Sequence, residues 1–172
     1  MNLADLSSPA VVCLPDLARR DAFTVAGPTR RFDAANAAAI PQLWPTLLTA
    51  LPLAGQTGGW ISYGLTWGYD PATGGFDYMP GVAVEPGTQP PAGFSLKQVA
   101  AASYVVFSIT LGAGDLHLQV KSAMAAIWGV LLPASGLRVA EGPSFEYYDG
   151  RFQPGQPGSV LEFHVPVLPP QG

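Results

Sequence analysis

Ser144-Phe145-Glu146-Tyr147-Tyr148-Asp149-Gly150-Arg151-Phe152 sets aromatic rings beside two carboxylates, in a chain where only 12% of residues are charged. Aromatics suit a pleated, half-buried surface, so Phe145–Tyr148 reads as the end of a strand. Alternation then puts Glu146 and Tyr148 on one face and Phe145 and Tyr147 on the other. A carboxylate beside a phenol, backed by two large rings, suits a pocket for a cationic or hydrogen-bonding aromatic ligand. The plainer alternative is a strand end whose Glu146 and hydroxyls meet water.

Working outward, Leu137–Asp149 and Val160–Val167 read as a strand pair joined by Gly150–Ser159. Before them, Asp115 suits a helix cap, and Leu116, Val120, Met124, Ile127, Trp128 and Leu131 supply the apolar positions. Lys97–Thr110, rich in Val, Tyr and Phe, reads as one strand ahead of that helix. The same order occurs earlier. Ala22–Ala26 is a short strand, and Asp33 suits the cap of a helix carrying Ile40, Leu43, Trp44, Leu47 and Leu48. Pro41 and Pro45 divide that helix into two short segments, the better one starting near Pro41. Strands Trp60–Trp67 and Phe76–Glu85 follow, joined by the Pro- and Gly-rich turn 69–75. Pro86–Gly93 is the natural join between the halves.

Each half thus reads strand, helix, strand, strand. Trp44 and Trp128 fall late in their helices, with Leu51-Pro52 and Leu132-Pro133 after them. The expected fold is α+β: a tandem duplication giving one curved antiparallel sheet, two helices on one side, and a groove along a pseudo-twofold axis. Residues 1–21 read as an N-terminal arm laid over the core through Val11, Val12 and Leu14. Residues 22–168 read as the domain, with repeat one over about 22–86 and repeat two over about 95–168.

Composition excludes several classes. Net charge is −4 with eight Lys or Arg, and no basic stripe follows a phosphate backbone, so direct nucleic-acid binding is not expected. Cys13 is the only cysteine, which rules out an intrachain disulfide. His117, expected on a helix, and His164, expected on a strand, lack metal-ligand spacing. No metal or cofactor is expected. No apolar run approaches the ~18 residues of a membrane span, and no signal peptide is legible, so the expected location is the cytoplasm.

The order of Leu132-Pro133-Ala134-Ser135-Gly136, the 142–152 stretch and Leu161-Glu162-Phe163-His164-Val165-Pro166-Val167 resembles the C-terminal signature of GyrI-like effector-binding domains. These are the small-molecule domains of bacterial AraC- and MerR-type multidrug regulators, also found alone. Asn36, Ile40-Pro41, Leu43-Trp44, Tyr63-Gly64, Phe76-Asp77-Tyr78 and Gly81-Val82 resemble that family's first repeat, so the likeness runs over roughly residues 22–168. It implies the same tandem fold, a bulky aromatic and often cationic ligand between the halves, and Glu146 in the pocket. Residues 1–21 are too short and acidic for the helix-turn-helix of such regulators, so a free-standing binding domain is expected.

The resulting expectation is a protein binding a bulky aromatic or cationic amphipathic molecule through Glu146, with Tyr63, Trp67, Tyr78, Tyr104, Phe107, Trp128 and Tyr148 as candidate lining residues. For each ring, core packing is the competing role. Two alternatives come with the resemblance: a hydrolase of toxic electrophiles using Glu146 as general acid or base, and a module that inhibits a protein partner, as the family's namesake does with DNA gyrase. No Ser/His/Asp or Cys/His set is legible, which favours binding over turnover. Monomer and homodimer both remain open.

Overall fold

A ten-stranded antiparallel sheet forms the frame of the computed structural model, which describes residues 9–169. The strands are β1 (Ala10–Cys13), β2 (Ala18–Arg20), β3 (Phe23–Gly27), β4 (Arg30–Phe32), β5 (Ser62–Asp70), β6 (Gly75–Val84), β7 (Ser95–Val99), β8 (Ala102–Thr110), β9 (Ser144–Tyr148) and β10 (Val160–Val167). Their lateral order is β1-β8-β10-β9-β5-β6-β3-β7, with β2 also on β8 and β4 also on β6. The order is a palindrome about the β9·β5 junction: β8-β10-β9 from the second half meets β5-β6-β3 from the first. The tandem fold expected from sequence is therefore present, and its halves join where Glu146 lies.

The stretch read as one strand over Lys97–Thr110 is two, β7 and β8, separated by Ala100 and Ala101. These small residues offer neither β-branching nor a ring to hold the chain in the sheet. β7 pairs with β3 and β8 with β10, six positions apart in the strand order. In a flat sheet that separation would be roughly 29 Å, yet the three steps from Val99 to Ala102 reach at most about 11 Å. The sheet must curl until its ends approach one another. Its inner face is closed by Val25, Tyr63, Leu65, Met79, Val99, Tyr104, Val106 and Phe145, which come from six different strands. Its outer face carries the helices.

Helix α1 (Leu43–Ala50) follows a 3₁₀ segment, Ala37–Gln42, that contains Pro41. The split caused by the two prolines is as expected. Asp33, however, does not cap α1: its carboxylate accepts from the amides of Ala35 and Asn36, closing a turn instead. Helix α2 (Leu116–Ala126) is capped as expected, Asp115 accepting from Leu118 N at 2.9 Å. It runs on through a widened π-helical stretch, Ile127–Leu131, into Leu132–Ser135 and stops at Gly136, whose φ is +72°. Pro133 cannot donate to the carbonyl of Gly129, and the wide turn directly before it accommodates the missing bond. Beneath α2 a second core gathers Phe107, Ile109, Ile127, Leu132, Leu161 and Phe163.

Three further readings change. Within the stretch read as an arm, residues 10–13 and 18–20 are sheet strands on β8; Val11 packs on the core, but Val12 is 58% exposed. Trp60 stands outside β5 and is 81% exposed, because Gly58 and Gly59, both at positive φ, turn the chain before the strand begins. Of Leu137–Asp149, only Ser144–Tyr148 is strand, Val139 making a lone bridge to Val167.

Candidate ligand-binding site

Glu146 is held by β9, whose neighbours are β10 and β5. Its backbone register sets Glu146 opposite Phe163 on one side and Gly64 on the other. Gly64 in turn faces Pro80 on β6, and the next pair on the same face, two residues along, is Thr66 with Tyr78. Strand alternation therefore brings Phe163, Glu146, Gly64 and Tyr78 onto the outer face, under α2.

Between that face and α2 lies a mostly apolar cavity of about 810 Å³. Phe163, Val165, Ser144, Glu146, Thr66, Phe76 and Tyr78 form its floor, drawn from strands of both halves. The α2 residues His117, Val120, Lys121 and Met124, with Trp128 just beyond, form one wall, since steps of three and four keep them on a single helical face. Ile40 from the segment leading into α1 borders another side.

Two phenols converge on Glu146. The Tyr148 hydroxyl donates to Oε2, and the Tyr78 hydroxyl lies beside the same carboxylate. Tyr78 accepts from Trp44 Nε1 at 3.1 Å, which fixes the hydroxyl and ties α1 into the site. Tyr148 is wedged edge-on between Trp44 and Phe152, with ring centroids 5.2 and 4.7 Å away. Room for this cluster comes from Gly64: a Cβ there would lie 2.6 Å from the Tyr78 hydroxyl and 3.0 Å from Glu146 Oε2.

Burial pushes the Glu146 carboxyl up to about 7, although the hydroxyls of Tyr148 and Tyr78 pull in the opposite direction. Both phenols are raised well above their usual range, by burial first and then by the adjacent Glu146 charge, so they remain donors. The arrangement is a carboxyl poised near neutrality in an apolar chamber. It can hold a proton, or give it up to meet a cation.

The candidate residues divide between the two faces. Glu146, Tyr78 and Trp128 line the cavity, and Tyr148 supports Glu146 from beside it. Trp67 borders the cavity at its edge, but its ring packs against the inner-face cluster, with the Lys97 ammonium 4.7 Å away. Phe107 is fully buried in the core beneath α2 and does not reach the cavity. Tyr63 and Tyr104 are on the inner face, away from Glu146. Odd-numbered β5 residues and even-numbered β8 residues point into the curl, and the chain fills that space itself. There the Arg20 guanidinium sits 5.1–5.8 Å from the ring centres of Phe23, Tyr63, Phe145 and Tyr147 and donates to the Tyr63 hydroxyl at 3.1 Å. His164 stacks on Phe145 nearby and bonds Glu162; burial pushes it down to about 4. Sequence reasoning missed Trp44, Phe76, Lys121 and Gly64 as site residues. The helical step between His117, Lys121, Met124 and Trp128 was the available signal.

A domain duplicated about one junction, with a carboxyl set in a cavity between its sheet and a helix, is the architecture of an effector-binding domain. Over residues 16–167 the chain matches the model of the Cass2 family, described as integron-associated effector binding protein, and it belongs to that GyrI-like family. It is 33% identical over 153 residues, 88% of this chain, to the transcriptional regulator BrlR of Pseudomonas aeruginosa. The chain spans about half, 54%, of that regulator's length. An integron cassette protein from the mobile metagenome of Vibrio cholerae has the same fold at TM-score 0.65 and 21% identity, covering 92% of this chain and 99% of that one. SAV2435, solved bound to tetraphenylphosphonium, aligns at TM-score 0.69 and 20% identity, over 89% of this chain and 93% of its own. No helix among the described residues is long and apolar enough to cross a membrane.

Proposed function

We propose that this domain binds a bulky aromatic cation in the cavity between α2 and the sheet, with Glu146 as the counter-charge. The observation that carries the proposal is Glu146 itself: a carboxyl in an apolar chamber, held by Tyr148 and Tyr78 and raised toward neutrality by burial. Desolvation makes an unpaired carboxylate costly there, and a cation entering the chamber removes that cost. Trp128, Phe76 and Phe163 offer ring surface to an aromatic body. The volume accommodates a drug-sized molecule. A relative of the same fold bound to tetraphenylphosphonium supports the same ligand class.

The test is tryptophan fluorescence of the purified protein titrated with tetraphenylphosphonium at pH 8, for wild type and Glu146→Gln. Saturable quenching weakened at least tenfold in the variant is expected. Equal affinity in the two proteins would overturn the role of Glu146. A carboxyl near neutrality beside two phenols also has the properties of a general acid or base. Turnover of a strained electrophile, lost in Glu146→Gln, would favour that second reading.

A further inference from the structure

We propose that the preferred ligand carries both charges: an aromatic cation bearing a separate anionic group, the cation meeting Glu146 and the anion meeting Lys121. This inference rests on reading the cavity as the ligand site and specifies the class of molecule it takes.

The cavity lining contains one carboxylate, Glu146, and one ammonium, Lys121. They do not pair with each other, and Lys121 has no ion pair or ring beneath it among the described residues. This sets it apart from most other basic side chains. Arg31 bonds Asp77, Arg151 bonds Asp149 and Glu162, and Arg20 and Lys97 lie over rings. Lys121 belongs to the α2 face turned toward the cavity, one turn after His117, whose imidazole adds a polar group on the same wall.

The two charges face the chamber from different elements, Lys121 from the α2 wall and Glu146 from β9 on the floor. Trp128 packs edge-on against Phe163 at 6.2 Å, and Phe163 is the register partner of Glu146. Lys121 precedes Trp128 by seven residues, roughly 10 Å along a helix. A simple monocation seated at Glu146 meets an unfavourable second cation on the wall. A ligand with a pendant carboxylate, sulfonate or phosphate converts that repulsion into attraction. Lys121 is exposed, so its contribution is modest and sensitive to salt.

Rhodamine B and its ethyl ester make a matched pair: both carry the aromatic cation, and only the first has a free carboxylate. Fluorescence polarisation at pH 8 would give the affinity of each dye for wild type, Lys121→Met and Glu146→Gln. The wild type is expected to prefer rhodamine B by roughly three- to tenfold, the preference shrinking as salt rises. Lys121→Met should abolish the preference and bind the ester more tightly than wild type does. Equal affinity for the two dyes, or a preference that survives in Lys121→Met, overturns the inference while Glu146-dependent ester binding leaves the site reading intact. If neither dye nor tetraphenylphosphonium binds, the site reading and this inference fall together.

Discussion

Changing pH across neutrality titrates Glu146 and nothing else on the cavity floor, because Tyr78 and Tyr148 are raised far out of range. With its pKa near 7, the carboxyl is about 3% ionised at pH 5.5 and about 90% ionised at pH 8. If a monocation binds only the ionised form, its affinity rises about 30-fold over that interval. The rise approaches tenfold per pH unit on the acid side and levels off above pH 7. Isothermal titration calorimetry with tetraphenylphosphonium at half-unit steps measures the curve, and buffers of different ionisation enthalpy count the proton released below pH 7. Glu146→Gln should bind weakly with a flat profile, which ties the slope to the carboxyl. A neutral probe such as triphenylphosphine oxide should show no rise in the wild type. A flat wild-type curve, or a slope retained in Glu146→Gln, would refute the assignment of the counter-charge.

Tyr148→Phe removes a hydrogen bond that favours the ionised carboxylate, so the midpoint of the same curve should move upward by about one unit. A midpoint that stays put would show that Tyr148 does not hold the charge. Gly64→Ala drives a methyl group against the Tyr78 hydroxyl and Glu146; thermal denaturation should show a loss of about 1–3 kcal/mol, with cation binding weakened in parallel. Because the folded carboxyl titrates above its ordinary value, the folded state binds the extra proton. Its stabilising contribution is complete below about pH 4.5 and is lost as pH rises through 7. Urea denaturation should therefore find Glu146→Gln more stable than wild type at pH 8, by at most about 3 kcal/mol and by less where cavity water solvates the carboxylate, with the difference gone at pH 4.5. Tyr63→Phe and Tyr104→Phe should leave tetraphenylphosphonium affinity unchanged, since both rings lie inside the curl; a loss comparable to that of Tyr78→Phe would show that the inner face takes part.

The frame was legible because it is local. Alternation in Phe145–Tyr148, the cap at Asp115, and the repeated order of elements each depend on neighbours a few residues apart. What was not legible depends on closure. Nothing in Lys97–Thr110 announces that the chain changes partners after Val99; the signal is only two alanines, and its meaning emerges once β7 and β8 are placed far apart in the strand order. The same gap hid on which side of the curl Tyr63 and Tyr104 would lie. Alternation correctly separates Tyr63 from Gly64, but it does not say which face will be inside the curl. An aromatic inventory treats every ring as available, whereas the structure fills the inner face with Phe23, Tyr63, Phe145 and Tyr147 around the chain's own Arg20.

That allocation bears on how one sheet supports an apolar cavity containing a carboxyl without collapsing. Rings on the inner face pack around Arg20 and against His164, so Phe145 and Tyr147 back β9 from behind. On the outer face, Glu146 stands where a side chain of ordinary size opposite it would block the Tyr78 hydroxyl, and position 64 is a glycine. The junction between the halves is thus symmetric in backbone and asymmetric in side chains: one strand supplies the carboxyl, and the strand paired with it supplies the space. Duplication provides the chamber, and departure from it at a single register pair provides the charge. A substitution that restored bulk at position 64 would cost the site more than truncating any one ring of its apolar wall, because it would displace both Tyr78 and Glu146 at once.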